Sequence, residues 1–195
     1  LIKGMVVQSG NDATVALAEG VGGTVERFVQ LMNEQAKVLG MKATSYRNPE
    51  GLTEAGHTTT ARDLSILATR LMQDFPEYMS YYAIKKYRYE GTPSANDTNR
   101  NLLLFRDPSV DGLKTGHTTE AGYGLVGSVK QGERRIIFAV TGLTSDKERA
   151  EESERIASWA FRQFALKTVA KGGSRLAEAA VFMGDAPSVG LVPAE

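Results

Sequence analysis

Lys114-Thr115-Gly116 sits inside a longer string, Val110-Asp111-Gly112-Leu113-Lys114-Thr115-Gly116-His117-Thr118, whose side chains suit one kind of chemistry. A lysine supplies positive potential and a threonine hydroxyl hydrogen-bonds a carboxylate. A glycine lets another backbone pair closely with a strand edge. Lys-Thr-Gly alone is common by chance; the eight residues from Asp111 to Thr118, followed by Ala121-Gly122-Tyr123, are far more specific. Well upstream stands Ser9-Gly10-Asn11. Its bland reading is an N-cap pair for the helix that follows. Its chemical reading is a hydroxyl that relays protons and an amide that holds a substrate backbone. Arg149 reads blandly as a partner of Glu148 or Glu152 on a charged helix,. Its guanidinium also has the shape to bind a carboxylate. His117 is given a supporting place at the rim of such a site, and Arg100, in Asn99-Arg100-Asn101, a place near it,. Arg62 and Arg155 read as structural.

These residues need elements to hold them. Residues 12–19 read as a short buried helix, with a glycine-rich break at 20–24,. Residues 25–39 carry a helical apolar stripe ended by Gly40,. Asn48-Pro49-Glu50-Gly51 is turn chemistry, and Thr60-Ala61-Arg62-Asp63 opens a helix as a capping box with Asp in place of Glu,. A further short helix is expected from Pro76 to about Ala83, a short strand over 85–89 and a polar loop over 91–100,. Residues 122–130 and 134–143 are β-rich runs joined by Gln131-Gly132-Glu133, a hairpin pattern,. Residues 146–166 read as a long helix with Ile156, Trp159, Ala160, Phe161 and Phe164 toward a core. Helices, then strands, then a closing helix predict an α+β fold, an antiparallel sheet with packed helices.

Composition removes several functions. The 195 residues carry no formal net charge, which gives no electrostatic argument for nucleic acid or an anionic membrane as the main partner,. There is no cysteine, so thiol catalysis, thiolate metal sites and disulfides are excluded,. The two histidines, His57 and His117, form no metal-ligand pattern, and no metal or cofactor is expected,. No apolar run is long enough to span a bilayer,. The chain opens on Leu1-Ile2-Lys3 rather than Met, and it reads as an internal piece of a longer protein.

Ser9-Gly10-Asn11-Asp12-Ala13, Leu39-Gly40-Met41-Lys42, Asn48-Pro49-Glu50-Gly51-Leu52, Thr60-Ala61-Arg62-Asp63 and residues 111–118 occur in one order. In that order they resemble the D-alanyl-D-alanine carboxypeptidases among the low-molecular-mass penicillin-binding proteins (peptidase S11). The resemblance implies a β-lactamase/transpeptidase-like fold. It also implies a serine of a Ser-x-x-Lys pair that attacks the penultimate D-Ala carbonyl of a peptidoglycan stem peptide. The lysine of that pair acts as base, D-Ala leaves, and water hydrolyses the acyl-enzyme. β-Lactams act as inhibitors by trapping it. Carried over residue by residue, Ser9, Asn11 and Lys114 become catalytic, and Thr115, Gly116, His117, Arg149 and Arg100 substrate-binding. Glu50 stands where some relatives carry His.

One part of the pattern departs. No serine of the chain has a lysine three residues on, and Thr168-Val169-Ala170-Lys171 lies after both other motifs. The nucleophile and its lysine are therefore expected upstream of Leu1, and the chain alone is expected to be inactive. Residues 1–166 are expected to form a partial catalytic domain and 167–195 the start of a small all-β domain. The resemblance implies an envelope location, periplasmic or on the outer face of the cytoplasmic membrane. Membrane association would come only through a C-terminal anchor beyond these residues. A serine β-lactamase of the same fold is the nearest alternative, but Glu50, Glu54, Glu77 and Glu90 lack the context of its deacylating glutamate. A non-catalytic envelope protein that binds peptidoglycan or β-lactam is the other.

Overall fold

A computed structural model describes residues 1–89 and 96–193. Glu90 and residues 91–95 of the expected polar loop lie outside the described residues, as do 194–195. The chain divides into two compact units, Leu1–Arg162 and Gln163–Glu195.

The first unit opens with four α-helices: α1 (Ile2–Gln8), α2 (Asn11–Gly22), α3 (Val25–Leu39) and α4 (Ala61–Asp74). A 3-10 helix (Pro76–Ala83) and the short α5 (Leu103–Arg106) follow. Three strands come next, β1 (Val110–Thr118), β2 (Gly122–Gln131) and β3 (Arg134–Leu143), closed by α6 (Asp146–Gln163). The strands form an antiparallel sheet in the order β1-β2-β3, so the α+β expectation holds. Gln131 pairs with Arg134, which leaves Gly132-Glu133 as a two-residue loop. Gly132 has φ 57°, a left-handed conformation that suits glycine and the tight turn,.

The core lies on one side of this sheet. Val110, Leu125, Val129 and Phe138 pack with Leu103 and Leu104 of α5 and with Ala150 and Ala157 of α6. Small alanines let α6 sit close to the strands. Phe138 places its ring where a Cβ on Gly127 would stand. α4 packs against β3, and the 3-10 helix against β1.

Local signals explain most helix ends. The Thr24 hydroxyl accepts from the Arg27 N–H, and Gly40 closes α3 at φ 77°,. The Thr60 hydroxyl accepts from the Asp63 N–H at 3.1 Å, but the reciprocal half of the capping box is not made. Asp63 instead accepts from the Ala43 N–H at 2.8 Å and the Thr44 hydroxyl at 2.7 Å. One methylene shorter than Glu, the side chain ties down the 43–44 segment rather than its own helix.

Several expectations are corrected. α2 runs through the supposed glycine break to Gly22, and Ala18 is its buried residue. Glycine lowers helix propensity by only about 1 kcal/mol, which neighbouring turns outweigh. Residues 85–89 make a single bridge, Lys86 to Thr98, rather than a strand. α6 stops at Gln163, and Trp159 and Phe164 are 49% and 57% exposed, so neither is a core residue. The apolar α1 and the short α5 were not anticipated.

In the second unit, β4 (Ala177–Ala180) and β5 (Ser188–Leu191) pair antiparallel. Phe182 and Met183 lie in the connecting turn.

Candidate active site

The site begins at the end of α1. Val6 and Val7 anchor that helix in the interior. Ser9 then takes a left-handed conformation, φ 56° and ψ 43°, and Gly10 donates its N–H to the Gly4 carbonyl at 3.2 Å. A non-glycine residue held there costs about 1 kcal/mol, so surrounding contacts must compensate. Those contacts include Lys114: its Nζ donates to Ser9 Oγ at 2.9 Å and to the Thr115 carbonyl at 2.8 Å. The N-cap reading of Ser-Gly-Asn fails, because Gly10 is the N-cap of α2 and no side chain caps it. Asn11 is the first residue of α2 and is exposed.

Lys114 is a cation between neutral acceptors. Burial lowers its pKa to about 8, and the charges of Arg100 and Arg149 push the same way,. A lysine poised there holds a proton at neutral pH and releases it under mildly alkaline conditions. Asp111, at the other end of β1, is pinned by Arg135 Nη1 at 2.8 and 2.7 Å.

Arg149 comes from another element, α6. It is 5% exposed. The helix partners proposed for it are engaged elsewhere: Glu148 with Thr144, Glu152 with Arg155. Arg149 Nη2 instead donates to the Arg100 carbonyl at 2.9 Å, and its Cζ lies 5.5 Å from the centre of the Tyr123 ring,. Burial lowers its pKa. Arg100 thus contributes its backbone; its exposed guanidinium reaches Asn96 Oδ1 at 3.1 Å.

The backbone around Arg100 is fixed by two buried asparagines. Asn99 Nδ2 donates to the Ile84 carbonyl at 3.0 Å, and Asn99 Oδ1 accepts from the Asn101 N–H at 2.9 Å. Asn101 Nδ2 donates to the Gly112 carbonyl on β1 at 3.3 Å. Thr115 is buried, Gly116 and His117 are exposed, and the His117 ring lies 3.9 Å from that of Tyr123. β1 stands at the end of the sheet, with an edge that β2 does not occupy. Strand edge, hydroxyl and three cations together suit an extended peptide that ends in a carboxylate.

Hydrogen bonds join Lys114 to Ser9 and Thr115 and join Arg149 to Arg100; the two arginine charges act on Lys114, and His117 is linked to Arg149 through Tyr123. No hydrogen bond ties Asn11 to Lys114. Sequence reasoning missed Asn99, Asn101 and Tyr123. The two asparagines were in view as neighbours of Arg100. Tyr123 was legible in principle, because Thr118 pairs with Gly122 and the next pair is therefore His117 with Tyr123. Among the described residues, no group of three or more His, Asp or Glu is arranged to hold a metal ion, and no helix is long and apolar enough to cross a membrane.

The chain is similar to known proteins. Residues 1–145 match the family described as D-alanyl-D-alanine carboxypeptidase, peptidase S11. The D-alanyl-D-alanine carboxypeptidase DacC of Escherichia coli is 40% identical over 192 residues, 98% of this chain and 47% of that protein. Penicillin-binding protein 5 of Haemophilus influenzae superposes with a TM-score of 0.88 at 38% identity, covering 97% of this chain and 55% of that one. Penicillin-binding protein D2 of Listeria monocytogenes, in its cefotaxime-bound form, gives 0.73 at 30% identity, covering 82% and 64%. The chain spans about half the length of the curated relatives it matches. The fold is that of the β-lactamase-like penicillin-binding proteins, and the chain belongs to the D-alanyl-D-alanine carboxypeptidase family, peptidase S11.

Proposed function

We propose that these residues form the substrate-positioning half of a serine D-Ala-D-Ala carboxypeptidase that removes the terminal D-Ala of peptidoglycan stem peptides. The observation that carries this reading is the 2.9 Å contact between Lys114 Nζ and Ser9 Oγ, which joins two motifs 105 residues apart. Ser9 Oγ would pass protons between the attacking serine and the leaving amine, and Lys114 would keep that hydroxyl polarised. The Thr115 hydroxyl and the Arg149 guanidinium would bind the terminal carboxylate, and the backbone at Gly116 would pair with the peptide. Asn11 would hold the substrate amide. β-Lactams would enter the same cleft as inhibitors, and the place of work would be the bacterial cell envelope. Residues 167–195 would open a small all-β domain, a reading supported by the β4–β5 pair.

The attacking serine of a Ser-x-x-Lys pair is not among these 195 residues. The reading is therefore tested in a chain where such a segment precedes them. That protein should release D-Ala from a peptide ending in D-Ala-D-Ala and bind a fluorescent penicillin covalently. Arg149→Ala should reduce peptide turnover more than penicillin acylation. Fast penicillin hydrolysis without D-Ala release would favour the β-lactamase alternative, and neither activity would favour a binding protein. The 195 residues alone should not be labelled by penicillin.

A further inference from the structure

Tyr123 touches both His117 and Arg149, two residues of the candidate site. Its ring lies 3.9 Å from the His117 ring, tilted by 31°, and 5.5 Å from Arg149 Cζ. His117 comes from β1, Tyr123 from β2 and Arg149 from α6, so one aromatic ring links three elements. Arg149 needs such a link. It donates through Nη2 to the Arg100 carbonyl, which holds one nitrogen and leaves the plane of the guanidinium to be set by something else. An aromatic face sets it, because the cation lies over the ring's negative π-surface, and the attraction grows when both groups are shielded from water.

We infer that Tyr123 is a positioning residue, which holds Arg149 and His117 in the orientation that receives the terminal carboxylate of the substrate. The inference rests on the proposed carboxypeptidase reading. The aromatic ring carries the effect, not the phenol oxygen. Tyr123 therefore acts on substrate selection mainly through Arg149, and its removal has only the small effect that passes through His117 once Arg149 is gone.

The test is a double-mutant cycle in a chain where a Ser-x-x-Lys segment precedes these residues, read as kcat and KM for a D-Ala-D-Ala peptide. Tyr123→Leu should raise KM about tenfold, with a smaller change in kcat; Tyr123→Phe should stay within about twofold of the parent. In an Arg149→Ala background, Tyr123→Leu should change KM by less than about twofold. Equal losses in both backgrounds, or a Tyr123→Phe loss as large as that of Tyr123→Leu, would overturn the inference. If the parent protein itself releases no D-Ala, the functional reading fails instead, and the two failures are told apart.

A second measurement does not depend on any variant folding. The chain has two histidines, so both are readily assigned by NMR. His117 should show ring-current-shifted carbon-bound protons. Unshifted His117 protons would remove the contact on which the inference stands.

Discussion

The two sides of the candidate site are built differently. On the sheet side, β1, β2, β3, α5 and α6 share one apolar core, with Leu103, Leu104, Leu125 and Val129 each 1–2% exposed. On the helical side, α1 buries Gly4, Val6, Val7 and Gln8, whereas α2 contributes one buried residue, Ala18, and α3 one, Ala36. Ser9 leaves that side in a left-handed conformation, and Lys114 from the sheet meets it. Packing of the sheet therefore fixes the strands that carry Lys114, Thr115 and Tyr123, whereas Ser9 sits at the end of the buried α1, held by a turn and a few polar contacts with the thinly buried α2 behind it. Under the proposed function, a site divided in this way would hold its binding groups on the sheet and its proton relay at the junction of the buried α1 with the less buried α2,.

The sharpest way to break this comparison is stability. Phe138→Ala in the sheet core should cost about 3–5 kcal/mol in urea unfolding, and Val21→Ala, on α2 and 69% exposed, within about 0.5 kcal/mol of zero,. Similar losses at both positions would refute the contrast. Next in size is Lys114→Ala, which should lower penicillin acylation, in a chain carrying the serine, by well over the tenfold that each ~1.4 kcal/mol represents.

A pH series probes Lys114 itself. Its pKa of about 8 lies below the ordinary 10.5, so between those values the unfolded chain binds more protons than the folded one,. Stability contributed through this group should thus rise with pH across that window. The penalty of the buried ammonium is felt in full below pH 8. Lys114→Met lacks this slope, so the parent should gain on the variant between pH 8 and 10.5 in denaturant titrations. Parallel curves would count against the shift.

The smallest effect concerns Ser9. Both Ser9→Ala and Ser9→Gly remove the hydroxyl, but glycine adopts φ 56° without strain. Ser9→Gly should therefore be more stable than Ser9→Ala by about 1 kcal/mol, read as a difference in Tm. Equal Tm values would mean that the left-handed turn at Ser9 is not strained.

Local chemistry explains what could be read along the chain. The stripe of α3 with Gly40 behind it, the Thr60 cap and the Gly132 hairpin are set by residues within a few positions of one another. The same holds for Lys114-Thr115-Gly116, whose order and side chains declare their chemistry before any fold is known. Where expectation and structure part, tertiary packing is the cause. α2 passes through its glycines, Asp63 abandons its capping box for Ala43 and Thr44, and Trp159 faces outward despite helical spacing.

By itself, then, the sequence determined the motifs, their order, the α+β pattern and the absence of thiol chemistry. Those depend on residue type and short-range spacing. Only the tertiary structure decided that Lys114 reaches Ser9, that the Arg100 carbonyl rather than a glutamate receives Arg149, and that Tyr123 lies beneath both Arg149 and His117. These contacts join groups from different elements. Register, helix docking and burial choose them, and no local stretch of the chain records that choice.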